Sequence, residues 1–97
     1  MPTLSSTPRF RRDFDEPQDQ ARTRFQTVVR DQFVPDLVTG MFRPGLRVKG
    51  VQGALGVYEM TWAPDGRATW QYGDEVREGE PHVIWRRIGT HGVFDRP

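Results

Sequence analysis

The sequence has no cysteine, only two histidines, and no apolar run near the roughly 18 residues that a membrane-crossing helix requires. Without cysteine there are no disulfides and no thiolate metal centres, which fits a reducing compartment. The two histidines, His82 and His91, stand alone and do not make a metal site, so no metal and no cofactor is expected. An excess of one charge is also missing: 14 Lys and Arg face 13 Asp and Glu, for a formal charge of +1. Proteins that grip nucleic acid by bulk charge are more basic than this. Any RNA or DNA contact must therefore come from a local patch or be borrowed from a larger partner. Residues Met1 to Thr7 carry neither a charged start nor an apolar stretch, so no secretory signal is read and cytoplasmic residence is the expectation.

What is present suits a small globular protein. A length of 97 residues fits one domain spanning 1–97. A chain of this size buries roughly 60–70 % of its unfolded surface, enough for one modest core. Six Phe, three Trp and two Tyr argue against intrinsic disorder.

The pattern changes near Gly40. Residues 1–6 are expected to be flexible and 7–39 helical. Thr7-Pro8 supplies a hydroxyl cap and a proline at the first helical position, and Phe10 and Phe14 would share a face. A second helix is expected from Pro17, with Ala21, Phe25, Val28, Val29 and Phe33 on one apolar stripe. Pro35 should kink or end it, and Gly40 is a plausible stop.

Residues 46–91 alternate like strands, and 92–97 read as a tail. Strands are expected over Leu46 to Val51, Val57 to Ala63, Arg67 to Tyr72 and His82 to Ile88. Pro64-Asp65-Gly66 marks a tight hairpin. Tyr58, Met60 and Trp62 share one face of their strand, as do Ala68, Trp70 and Tyr72 of the next, and the three tryptophans read as core. Packing the helical stripe on this face gives an α+β two-layer sandwich: two N-terminal helices on a four-stranded, mainly antiparallel sheet.

The other face would then present Arg47, Lys49, Glu59, Thr61, Arg67 and Gln71. The last strand adds Arg86 and Arg87, with His91 just beyond the glycine that stops it. Fixed guanidinium groups beside a group that titrates near neutral pH suit phosphodiester chemistry. Plainer readings stand beside this one. His91 could be a surface histidine and Arg67 a hairpin-flanking charge. Glu59 could simply pair with Lys49 or Arg67 across strands. One of Arg86 and Arg87 could point to solvent or pair with Glu75, Glu78 or Glu80.

Four segments carry a resemblance: Arg43-Pro44-Gly45-Leu46-Arg47-Val48-Lys49, Gly56-Val57-Tyr58-Glu59, Arg67 after the hairpin, and the ending Ile88-Gly89-Thr90-His91. In order and spacing they resemble the RelE/ParE superfamily of toxins from bacterial type II toxin–antitoxin pairs, over about Phe10 to Phe94. The resemblance implies a metal-independent endoribonuclease that cuts mRNA on the ribosome, with a cognate antitoxin as partner. It implies Arg67, His91 and Glu59 as catalytic residues, with Arg47, Lys49, Arg86 and Arg87 binding RNA. Pro44-Gly45 stands where some members carry an acid, Phe94 where others carry tyrosine, and Gly92 where many carry aspartate after the histidine. The ParE branch implies an alternative, a non-enzymatic inhibitor of DNA gyrase. A non-toxic binding module on the same fold is a third reading.

Overall fold

A computed structural model describes residues 2–15 and 19–97, excluding the side chains of Asp19 and His91. The chain begins with strand β1 (Thr3–Ser6) and helix α1 (Pro8–Asp15), followed by α2 (Asp19–Val28) and α3 (Val34–Thr39). Strands β2 (Lys49–Gly50), β3 (Val57–Ala63), β4 (Gly66–Gly73) and β5 (His82–Gly89) complete a five-stranded sheet in the order β1-β5-β4-β3-β2. β1 runs parallel to β5, and the other neighbours are antiparallel. The α+β sandwich is as expected, but the sheet has five strands and is mixed.

The extra strand is the main correction. Residues 3–6, expected to be flexible, pair with 82–85 of β5. The Thr3 hydroxyl lies 2.7 Å from Nδ1 of His82 and the Ser5 hydroxyl 3.1 Å from Nε2, so His82 fastens the strand and serves structure. Immediately after it, Thr7 caps α1 as expected: its Oγ1 accepts from the Phe10 amide at 3.1 Å.

The second helix's expected start at Pro17 lies outside the described residues. Pro35 does not end the helical run. A wider π turn over Val29–Phe33 intervenes, and the Val34 amide reaches back to the Val29 carbonyl. Pro35 then falls in the first turn of α3, directly after the π turn. Gly40 ends α3 in a left-handed conformation at φ 80°.

The strand expected over Leu46 to Val51 shrinks to two residues. Pro44–Leu46 form a 3-10 turn closed by Arg47 at φ 49°, so proline, glycine and a left-handed residue break the alternation there. The hairpin after β3 holds as read. Pro64-Asp65 link Ala63 to Gly66, and Gly66 has no room for a side chain because a Cβ would stand 2.6 Å from the Trp62 ring.

Helices cover one face of the sheet. Phe25, Val29 and Phe33 are buried from the helical side; Met60, Ala68, Trp70, Val83 and Trp85 are buried from the sheet. Phe33 is fully enclosed, with its ring 4.9 Å from Trp85 and 5.2 Å from Trp70. Each fully buried Val, Phe or Met side chain among them contributes about 1.5–3 kcal/mol through removal from water. Trp70 and Trp85 are core, as read; Trp62 is half-buried against it. Among the described residues no helix is long and apolar enough to cross a membrane.

The link from α3 to β2 is held by one ion pair. Arg43 donates to Asp36 through Nε at 2.8 Å, Nη2 at 2.9 Å and its own amide at 2.9 Å. Those side-chain bonds, with the backbone bond next, lower the Asp36 carboxyl to about 2. Because the folded value lies below the ordinary carboxylate range, the stabilisation is present in full above roughly pH 4 and is lost as pH falls towards 2. Thermal unfolding followed against pH should show wild type and Asp36→Asn well separated at pH 5 and converging towards pH 2. Parallel curves would contradict the pair's role.

Candidate phosphodiester site

The face of the sheet opposite the helices carries two cross-strand rows. In one, Lys49, Glu59, Thr69 and Arg87 are successive partners from β2 to β5. At ordinary strand spacing the row spans roughly 14 Å between its outer Cα atoms. In the next, Thr61, Arg67 and Gly89 are aligned. His91 follows Gly89 by two residues, so its Cα lies within about 8 Å of that glycine. Its backbone opens a 3-10 turn over His91–Asp95, while its side chain lies outside the described residues.

The sheet thus gathers Lys49, Glu59, Arg67, Arg87 and the His91 backbone at one end of one face. Arg47 is not part of this row. Its left-handed backbone precedes β2, and its guanidinium is exposed.

The two arginines of β5 are the rigid part. Thr69 pairs with Arg87 and Trp70 with Trp85, so Arg86 is an extra residue in a bulge. Both side chains consequently reach the C-terminal tail. Arg86 donates to Oε1 of Gln71 in a very short contact and, through Nε at 3.0 Å, to the Pro97 main-chain oxygen. Arg87 donates through Nε to Oδ2 of Asp13 at 2.5 Å and through Nη1 to the Arg96 carbonyl at 3.1 Å. The acids of the β4–β5 loop are not its partners. The ion pair crosses from α1 on the opposite side of the chain, 74 residues away in sequence.

Asp13 also accepts from the Ile88 amide at 3.3 Å. β1 has already ended there, so this carboxylate caps the exposed edge of β5. It holds Arg87 in one orientation, and both side chains are less than one-fifth exposed. No pattern in the sequence singled out Asp13. Its spacing of three from Phe10 places it beside the apolar face of α1, which is the one local hint.

The remaining candidates are held more loosely. Lys49 and Glu59 approach at 3.7 Å, with the lysine 71 % and the glutamate 15 % exposed. A pair this open contributes little to stability, and the ammonium is available to an incoming anion. Arg67 folds back on its own hairpin: Nη1 donates to the carbonyls of Ala63, Pro64 and Gly66 at 3.0–3.3 Å. That contact ties the guanidinium to the tight turn and accounts for a structural part of its role.

No family model matches the chain, and no curated protein matches it in sequence. Solved structures do match it. The DinJ–YafQ toxin–antitoxin complex of E. coli superposes with a TM-score of 0.66 at 14 % identity, covering 93 % of this chain and 92 % of the other. The toxin–antitoxin complex RelBE2 of Mycobacterium tuberculosis gives 0.66 at 16 % identity over 92 % and 96 %. The chain has the RelE-like fold. A YoeB/ParE toxin from Agrobacterium tumefaciens shares this RelE-like fold at 0.65 and 11 % identity over 92 % and 98 %. The resemblance read from Arg43–Lys49, Gly56–Glu59 and the Ile88–His91 ending is therefore matched by the path of nearly the whole chain.

Replacing Asp13 with alanine leaves the Ile88 amide and a partly buried guanidinium without their acceptor. Chemical denaturation should show a loss of about 1–3 kcal/mol. In a double-mutant cycle with Arg87→Ala, the second change should cost much less in the Asp13→Ala background than alone. Strict additivity would show that the two side chains do not act together.

Proposed function

We propose that this protein is the toxin of a type II toxin–antitoxin pair and acts as a metal-independent endoribonuclease on ribosome-bound mRNA. The observation that carries the reading is the row Lys49–Glu59–Thr69–Arg87, with Arg86 beside it, on the helix-free face of a RelE-like sheet. RNA cleavage of this kind needs no external nucleophile. The 2′-hydroxyl attacks the adjacent phosphorus and the 5′-oxygen leaves, so the protein must move two protons and stabilise charge on the phosphate.

Glu59 takes the 2′-hydroxyl proton; its side chain is mostly buried, with Lys49 3.7 Å away. His91 returns a proton to the leaving 5′-oxygen. Arg87, Arg86 and Arg67 bear the phosphate charge, Lys49 contacts the RNA backbone, and the exposed Arg47 just before β2 adds an outlying contact. Arg87 is the strongest member of this set because Asp13 fixes it before any ligand arrives, so little ordering remains to be done on binding.

The antitoxin is the second partner. A groove of about 690 Å³ lies between β1, α1 and the end of α2, lined by Leu4, Phe10, Phe14, Phe25 and Val29 with Arg11 and Arg30 at its margin. An apolar segment fits it, and the outer edge of β1 offers main-chain groups to the same segment. The low net charge agrees with a toxin that reaches RNA through the ribosome and not through bulk attraction.

A translating extract supplied with the purified protein should yield mRNA shortened in register with codons. Glu59→Gln, Arg87→Ala and His91→Gln should each slow cutting by about 10²-fold or more while the fold persists. Growth arrest without RNA cutting, undiminished in His91→Gln, would replace the nuclease with a gyrase-directed inhibitor. Expression with no growth arrest at all would leave only a binding module on this fold.

A further inference from the structure

The tail expected at 92–97 folds back over the helix-free face. After Thr90 a 3-10 turn reverses the chain, closed by the Val93 amide on the Thr90 carbonyl at 3.1 Å. Val93 is only 5 % exposed and packs so closely on Gly89 that a Cβ there would stand 3.0 Å from its Cγ1. The chain then delivers two main-chain oxygens, one residue apart, to side chains of the sheet. The Pro97 oxygen accepts from Nε of Arg86 at 3.0 Å and from Oγ1 of Thr69 at 3.2 Å. The Arg96 carbonyl accepts from Nη1 of Arg87 at 3.1 Å. Thr69 is fully buried beneath this contact.

Three donors from two neighbouring strands therefore converge on oxygens separated by one residue. We infer that Arg86 Nε, Thr69 Oγ1 and Arg87 Nη1 form a phosphate-binding subsite, and that the tail masks it by presenting main-chain oxygens where phosphate oxygens would lie. Thr69 is the member of this subsite that the resemblance did not mark. A phosphodiester is charged where the Arg96 carbonyl is not, so it adds a Coulomb attraction to the Arg87 guanidinium that the carbonyl lacks. A phosphate of the RNA backbone thus competes with the Arg96 carbonyl for Arg87 and with the Pro97 oxygen for Arg86 and Thr69, and the tail opens where the phosphate wins. The inference rests on the RNA reading for the identity of the ligand and not for the masking itself.

The test uses the full-length chain and a single-stranded RNA carrying 2′-O-methyl groups, which cannot be cut. Gly89→Ala and Val93→Ser both loosen the tail without touching the three donors. A tail closed nine-tenths of the time weakens apparent binding about tenfold, so each variant should bind this RNA up to about tenfold more tightly than wild type. Adding Thr69→Val to either should remove the gain. In wild type, the RNA should accelerate hydrogen exchange at the Val93 amide. RNA that binds with no change at Val93, or variants that remain folded and bind no more tightly, overturn the masking. So does an RNA that binds none of these chains. Tail release by this RNA alongside a failure to cut unmodified mRNA would remove the nuclease and leave the subsite standing.

Discussion

Asp13 is the point on which the rest of this arrangement depends. A strand at a sheet edge must do something with its outward amides, and β5 solves this twice. Along its first half β1 pairs with it; beyond Trp85, where β1 has given way to α1, the Asp13 carboxylate takes the Ile88 amide and the Arg87 guanidinium together. One short helix thereby closes the edge of the sheet and aims a cation at its helix-free face. The same helix seats Phe10 against Trp85, with ring centres 6.1 Å apart, so core packing determines where the carboxylate stands.

This coupling explains how a nearly neutral chain can still present a concentrated anion site. Most of its positive charge is spread over solvent-exposed positions, where water and salt weaken it. Arg86 and Arg87 are instead immobilised by Gln71 and Asp13. A guanidinium that does not have to be ordered on binding retains more of its interaction with the ligand. Fixing it by an ion pair with a carboxylate offsets part of its charge, and Arg86, whose side-chain partner is the neutral Gln71, supplies the balance.

Much of the fold was legible because local chemistry specified it. Pro64-Asp65-Gly66 defined a hairpin whose strands alternate cleanly through Tyr58, Met60, Ala68 and Trp70, and Thr7-Pro8 marked a helix start. The elements that escaped were those governed by distant pairing. Thr3–Ser6 is a polar segment that becomes a strand only because residues 82–85 lie beside it. The π turn at Val29–Phe33 leaves the apolar stripe intact, so periodicity could not reveal it. In the site, alternation correctly grouped Lys49, Glu59 and Arg67. It could not place Arg86 and Arg87, because a bulge resets the alternation between them and the partner of Arg87 comes from the other end of the chain. Arg47 was misplaced for a simpler reason: its left-handed backbone interrupts the strand in which it was counted.

The central claim is that Arg87 is held in place by Asp13 before any ligand binds. It is tested most directly by nuclear magnetic resonance of the arginine Nε–H groups in the free protein. The account predicts a distinct, slowly exchanging Nε–H signal for Arg87 that collapses to solvent-like exchange in Asp13→Asn. An Arg87 signal that exchanges as fast as that of the exposed Arg47 in wild type would contradict it.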